Sequence, residues 1–379
     1  MTLITISCIW INYLYNTPPE TILEFNELGI KFNPYNEIND YQNKFHYQTL
    51  NEDEKVFYSC LYHSSINNLN HFEFIKENDN NEMVNAMGAF IEDWPEYYWW
   101  NTINTKTIEV KNTLGKKYYY LTSIADESEE DIKMYSSLIE NKAKDILTNI
   151  KGSDDYTTIK NIHDYIIDNT TYNLEKVDSQ DLRSVLLENE GVCAGYAETF
   201  QYLCNKLGYD CYCVKGQAKL NNIELHEWNI IQIDNKWYLV DTTFDEYTDE
   251  NKNEIGIKYD NFLATDKILK IDHISNNNYK YPSCIDDNLY FYNMPGMFIE
   301  NFSEESISPF LIKWIKQNTK ELHFKFNSKK ELNLFIEWLN NDGFFNFYGE
   351  NISEYYNLKI NWKVLEDNML LILSWEDTN

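Results

Sequence analysis

Between Leu186 and Glu246 the residue pattern changes period twice, and that change restricts the fold more than any other stretch of the chain. Behind the glycine-bracketed Gly191-Val192-Cys193-Ala194-Gly195, the residues Ala197, Phe200, Leu203 and Leu207 recur at helical spacing until Gly208 stops the run. His226 to Ile233 and Lys236 to Asp241 then read as two strands joined at Asp234-Asn235. Helical period thus gives way to strand period within one stretch of the chain.

The same stretch holds three polar groups that chemistry can use. Cys193 stands at the start of the helix, where the positive end of the macrodipole favours the thiolate, the nucleophilic form of the side chain. A nucleophile of this kind needs a base, and His226 opens the first strand. With a two- or four-residue turn, Asp241 sits opposite Trp228 and diagonal to His226, on the same face. Asp241 would then orient the imidazole and leave its other nitrogen for the thiol, the logic of a Ser-His-Asp triad with sulfur as nucleophile. An odd-length turn would put Asp241 on the wrong face.

Other cysteines and histidines have plainer readings. Cys8, Cys60, Cys204 and Cys284 fit the ordinary fate of a free cysteine, a small buried hydrophobe. Cys211 and Cys213 alternate in a strand-like run, so their spacing reflects packing rather than a zinc site, and neither a metal nor a cofactor is expected. Seven cysteines, an odd number in 379 residues, do not form a disulfide framework. His163 reads as a satisfied, partly buried residue beside an isoleucine stripe. His46, His63, His71, His273 and His323 have no Cys or acid at telling spacing and receive no role.

The length exceeds what one hydrophobic core usually serves, so several units are expected. These are a mainly helical region with a β-hairpin over 1–150, a core over 151–285 and a small α/β domain over 286–379. In the first, Asn51 and Glu54 box the start of a helix carrying Val56, Phe57, Cys60 and Leu61, and a second helix covers Glu82 to Ile91. A hairpin follows, from Thr107 to Lys111 and Lys117 to Leu121 around Gly115. The acidic run Asp126 to Asp131 lacks the spacing of a calcium loop and suits a helix N-terminus, opening a helix to about Ile150. Another helix covers Asp155 to Asp168. Past Cys284 the order is a helix at Phe310 to Lys316, a strand at Leu322 to Phe326 and a helix from Ser328 through Leu339. Strands at Leu358 to Val364 and Met369 to Trp375 complete the domain.

Charge narrows the partners. With 32 Lys+Arg against 61 Asp+Glu, the formal charge of −29 repels phosphate backbones, which excludes nucleic acid and favours cationic proteins or peptides. Met1 to Tyr15 is apolar but has no basic residue ahead of it and no cleavage site behind it. It is also too short to span a bilayer, so a buried strand or helix is expected there, and the reading leans to a cytoplasmic protein.

Three motifs in order resemble the transglutaminase-like superfamily. These are Gly191-Val192-Cys193-Ala194-Gly195-Tyr196-Ala197, His226-Glu227-Trp228-Asn229 and Trp237-Tyr238-Leu239-Val240-Asp241-Thr242-Thr243. The likeness extends to a bacterial group of transglutaminase-domain proteins through Asp93-Trp94-Pro95-Glu96-Tyr97-Tyr98-Trp99, Ile162-His163-Asp164-Tyr165 with Tyr172, and Asp260-Asn261-Phe262-Leu263. It implies a papain-type α+β core, a Cys-bearing helix packed on an antiparallel sheet bearing His and Asp, and the triad Cys193, His226 and Asp241. Two departures stand outside the triad. Glu227 replaces the group's usual Ala, on the face opposite His226 where solvent is expected, and Phe244 replaces a frequent Trp. For the oxyanion, the Cys193 N–H and the Tyr172 side chain are candidates.

Such a site forms an acyl-enzyme from an amide. Water as acceptor makes it a cysteine peptidase acting on peptide or isopeptide bonds, which is the favoured reading. A lysine amine would make it a crosslinking transglutaminase. A non-catalytic protein-binding module that keeps the fold is the rival from another class, and a zinc protein using Cys204, Cys211 and Cys213 is the second.

Overall fold

A computed structural model describes residues 40–376 and Asp377, apart from 77–81, 102, 112–113, 176–179, 220–222, 249–253, 277–278, 317–320 and 352–357. The expected N-terminal apolar element and Cys8 lie outside the described residues. The chain forms two units, one from Met1–Gln232 with Asp272–Pro282, the other from Ile233–Ile271 with Ser283–Asn379. Helices and antiparallel sheets are mixed in the order an α+β protein requires. No described helix is long and apolar enough to cross a membrane.

In the first unit, α1 (Glu52–Ile66) starts at a complete capping box. Asn51 accepts from the N–H groups of Asp53 and Glu54, and Glu54 accepts from the Asn51 N–H. Its buried Phe57, Tyr58, Cys60 and Leu61 face α2 (Glu82–Asp93) and the sheet beyond. That sheet, β1 (His71–Lys76), β2 (Ile103–Lys111) and β3 (Lys117–Ala125), has the order β1-β3-β2 and contains the expected hairpin as β2 and β3. The β1 strand was not foreseen.

His46, which has no acid at telling spacing in the sequence, finds two in the fold. It is fully buried, its Nδ1 lies 2.8 Å from Asp93 Oδ1, and its Nε2 lies 3.1 Å from Glu92 Oε2. Asp93 also accepts from the Tyr47 N–H and the Tyr58 hydroxyl, which fastens the Asp93-Trp94-Pro95 segment to the preceding chain. These partners are 46 residues apart in sequence for the histidine's own neighbour Tyr47, a separation that no local spacing rule detects.

Three helices lead to the site. The acidic run opens α3 (Glu129–Ile150), capped by Ser128, and α4 (Asp155–Asn169) is capped by Asp154. A short α5 (Leu182–Glu188) follows and packs against α6 (Cys193–Lys206), which ends at Leu207 before Gly208 turns the chain at φ +89°.

Beneath α6 lies the sheet that carries the second motif. Its strands are β4 (Cys211–Lys219), β5 (Ile223–Ile233), β6 (Lys236–Val240) and β7 (His273–Ser275), in the order β7-β4-β5-β6. β4 pairs antiparallel with β5, Val214 facing Trp228 and Gly216 facing His226, and on its other side with β7. Asp234 and Asn235, at φ +49° and +61°, make the two-residue turn with both central residues left-handed that suits a twisted hairpin. The even turn length is the one that the sequence pattern needed.

The second unit contains a four-stranded sheet from its C-terminal half. β8 (Phe298–Ile299), β9 (Glu321–Phe326), β10 (Leu358–Leu365) and β11 (Leu370–Asp377) have the order β8-β9-β11-β10, with β8 parallel to β9 and the rest antiparallel. The helices α7 (Glu304–Lys316) and α8 (Lys329–Asn340) match the expected order. α9 (Gly343–Asn351) was not anticipated, because its two glycines and three phenylalanines are weak helix formers and only burial of Phe344 and Phe347 holds it.

Candidate active site

Cys193 is the first residue of α6, behind an extended Val192 at φ −116° and ψ 178° that offers no side-chain cap. Close packing explains the flanking glycines. A Cβ on Gly191 would lie 2.7 Å from Val185 Cγ2, and one on Gly195 would lie 3.0 Å from both the Asp181 carbonyl and Ser184 Oγ. The glycines therefore let α5 approach the start of α6 closely enough to hold the cysteine in place. Of the six described cysteines, five are buried and Cys193 alone is half-exposed. Burial pushes the Cys284 thiol up to about 12 and raises Cys60, Cys211 and Cys213 as well, so those sulfurs stay protonated. Cys204 meets Cys211, while Cys213 receives a contact from Asn229 Nδ2 at 3.6 Å.

His226 is buried on one face of β5. Trp228 follows on that face, with the two rings 6.0 Å apart and nearly parallel. The ring of His273, from β7, completes the group at 5.4 Å from His226 and 5.0 Å from Trp228. His273 also has an acid partner, its Nδ1 lying 2.6 Å from Asp272 Oδ1, which corrects the reading that gave it none. The adjacent Asp272 was visible in the sequence, but the neighbouring imidazole was not. Gly216 makes the cluster possible. A Cβ there would lie 2.7 Å from the Trp228 ring and 2.3 Å from the Ile274 carbonyl.

The other face of the same strand meets α6. Asn229 Nδ2 donates to the Ala197 carbonyl at 2.9 Å, and the Cys213 N–H donates to Gln201 Oε1 at 2.8 Å. Gln201 in turn donates to the Glu92 carbonyl at 2.7 Å, which ties α6 to α2. Glu227 shares this covered face and is 7% exposed, so the expectation of a solvated carboxylate fails. Across from it in the ladder is Lys215, whose Nζ lies 3.7 Å from Glu92 Oε1. Glu198, also buried, accepts from the Leu182 N–H at 3.0 Å.

One ammonium thus stands among three carboxyl groups. Burial raises the proton affinity of Glu227, Glu198 and Glu92 alike, with Lys215 opposing it in each case. Burial works against the charge on Lys215, yet Glu227, Glu92 and Glu198 outweigh it and hold the lysine protonated. Sequence alternation marked the face of Glu227 correctly but could not tell that a helix covers it.

Asp241 belongs to the second unit. It ends β6, is 1% exposed, and its Oδ1 accepts from the Phe244 N–H at 2.9 Å as the N-cap of the helical turn Thr242–Asp245. Its own N–H donates to the Asn261 carbonyl at 3.1 Å, and Asp245 holds the Asn261 N–H and Nδ2. Cys193 and His226 belong to the first unit, and among the described residues the thiol makes no hydrogen bond to the imidazole. Tyr172 is half-buried, its ring 6.1 Å from that of Tyr196.

Comparison with known proteins adds the family. The family model described as the transglutaminase-like superfamily matches residues 144–242, a span that contains Cys193, His226 and Asp241. The kyphoscoliosis peptidase of Mus musculus is 23% identical over 197 residues, covering 48% of this chain and 28% of the mouse protein. This chain therefore matches little more than a quarter of that relative's length. A solved TGase structure is 19% identical with a TM-score of 0.25, covering 46% of this chain and 50% of the other. A structure from Cytophaga hutchinsonii, described as a candidate cysteine protease, is 16% identical with a TM-score of 0.26, covering 49% and 82%. The motif residues fall inside the matched span: residues 144–242 of this chain match the transglutaminase-like superfamily.

Proposed function

We propose that this chain is a thiol acyl-transfer enzyme in which Cys193 is the nucleophile, His226 the general base and acid, and Asp241 the group that orients the imidazole. The observation that carries the reading is the exposure of Cys193 at the head of α6, while the other five described cysteines are buried. A thiol that attacks a substrate must be reached by it, and a helix N-terminus favours the negative charge it develops. The backbone of Asp234 and Asn235 supports the third member, because a two-residue turn has the even length that the sequence pairing of Asp241 with Trp228 requires.

The reaction follows from these roles. Sulfur adds to the amide carbonyl, the C–N bond breaks as His226 protonates the departing amine, and a thioester remains on Cys193. Water deprotonated by His226 then releases the acid. Hydrolysis of peptide or isopeptide bonds is the preferred outcome, with transfer to a lysine amine as the second reading. The formal charge of −29 favours cationic protein or peptide substrates.

Two measurements test this. Iodoacetamide should label Cys193 ahead of the buried cysteines, at a pH where ordinary thiols are unreactive, and His226→Ala should remove that preference. Equal labelling of every accessible cysteine would instead favour a non-catalytic binding module. A peptide library digested by wild type and Cys193→Ala should yield new N-termini with wild type alone. Conjugates to an added amine in their place would name a transglutaminase.

A further inference from the structure

A second imidazole stands against the one assigned as base. His226 lies on β5 and His273 on β7, with β4 running between the two strands. On the face they share, β4 places Gly216 opposite His226 and Ala218 opposite His273, so no bulky side chain separates the rings. A ring nitrogen of one lies within 4.8 Å of a ring nitrogen of the other. Trp228 closes the group, with its indole nearly parallel to His226 and edge-on to His273. All three side chains are buried, and each pair of rings lies at the separation where aromatic faces and edges pack. Turning one ring about its side-chain bonds therefore drives it into the other two.

His273 is itself pinned. A carboxylate can only accept, so Asp272 Oδ1, 2.6 Å from His273 Nδ1, fixes the hydrogen on that nitrogen and with it the setting of the ring. The backbone of Asp272 is held separately, its carbonyl accepting from the Lys219 N–H at 2.8 Å. Both residues lie beyond the span 144–242 that matches the superfamily.

We infer that His273 is a positioning residue for His226: with Trp228 it forms a fixed wall that holds the base in one ring orientation. This rests on His226 being the general base of the proposed reaction. Proton transfer needs hydrogen-bond geometry, and a misplacement of about 1 Å can cost on the order of 10²-fold in rate. The wall acts through His226 and not on the substrate, so its loss slows the chemical step and leaves KM as it was.

The test compares wild type with His273→Ala, His273→Asn and His273→Phe on a peptide that wild type cleaves, reading kcat, KM, melting temperature and the rate of Cys193 alkylation by iodoacetamide. The Ala and Asn variants should lower kcat about 10–100-fold at unchanged KM and slow the alkylation. His273→Phe rebuilds the wall and should bring kcat back to within a few-fold of wild type. Asn keeps a donor for Asp272 but has no ring. An Asn variant as fast as wild type, or a Phe variant as slow as Ala, would therefore overturn the inference. Should these variants melt well below wild type, Asp272→Ala decides, because that side chain is half-exposed and its backbone bond to Lys219 remains. Its kcat should fall about threefold to tenfold at constant KM, and an unchanged kcat removes the wall. Active wild type with indifferent variants sinks the wall alone. A wild type that neither cleaves peptides nor alkylates first at Cys193 sinks the thiol mechanism, and the role of His273 with it.

Discussion

Replacing Glu227 by Gln tests the buried charge cluster directly, because it keeps the shape of the side chain and removes its titration. In the native protein burial raises the proton affinity of Glu227, and nearby Glu198 shares its environment with the single cation Lys215. A carboxyl whose folded pKa lies above its unfolded value of about 4.3 binds more protons folded than unfolded. Its stabilising contribution is complete below the unfolded pKa and is lost as pH rises through the folded one. For one proton the loss is at most ~1.4 kcal/mol per pH unit within that window. The carboxylates of Asp164 and Asp154, held low by His163 and Lys160 in one case and by the Thr157 N–H in the other, oppose this trend but are common to both proteins. The difference between wild type and Glu227→Gln therefore isolates the cluster. Urea unfolding followed by fluorescence of the ten tryptophans, in half-unit steps from roughly pH 4.5 to 8, should show the variant gaining on wild type as pH rises. Parallel curves would refute the claim that burial beneath α6 raises the proton affinity of Glu227.

Three further outcomes follow from single contacts. Gly216→Ala should cost about 1–3 kcal/mol in the same unfolding assay and raise amide exchange in β7, because the new Cβ meets the Ile274 carbonyl and the Trp228 ring, neither of which moves freely. Asp241→Asn keeps an oxygen to accept from the Phe244 N–H. The fold should survive, while turnover of a cleaved peptide falls on the order of 10⁴-fold as imidazole orientation and charge support are lost. Asn51→Ala removes the acceptor for two N–H groups at the head of α1 and should cost about 0.5–2 kcal/mol, measured as a shift in the urea midpoint.

Most of the local structure was legible in the residues themselves. The capping box at Asn51, the acid-led start of α3, the hairpin of β2 and β3, and the halt of α6 at Gly208 each depend on neighbours within a few positions. Where elements escaped notice, local preference and final structure disagreed. α9 is glycine- and aromatic-rich and is held by what it buries, and β1 is held by its ladder to β3. The same division applies to charged side chains. Alternation placed Glu227 opposite His226 in direction, yet only the packing of α6 turned a supposedly solvated carboxylate into a buried one.

What the amino-acid order determined unaided was the alphabet of the proposed site: a cysteine at a helix head, and a histidine and an aspartate on consecutive strands, with the parity of the turn between them left to the structure. These are short-range matters of period, turn chemistry and helix ends. Tertiary structure alone decided that one sulfur of the six described stays accessible, that His273 and Trp228 crowd His226 across Gly216, and that His46 finds Asp93. Exposure and buried partnership arise between segments distant along the chain, where desolvation and packing set the terms and no local rule can anticipate them.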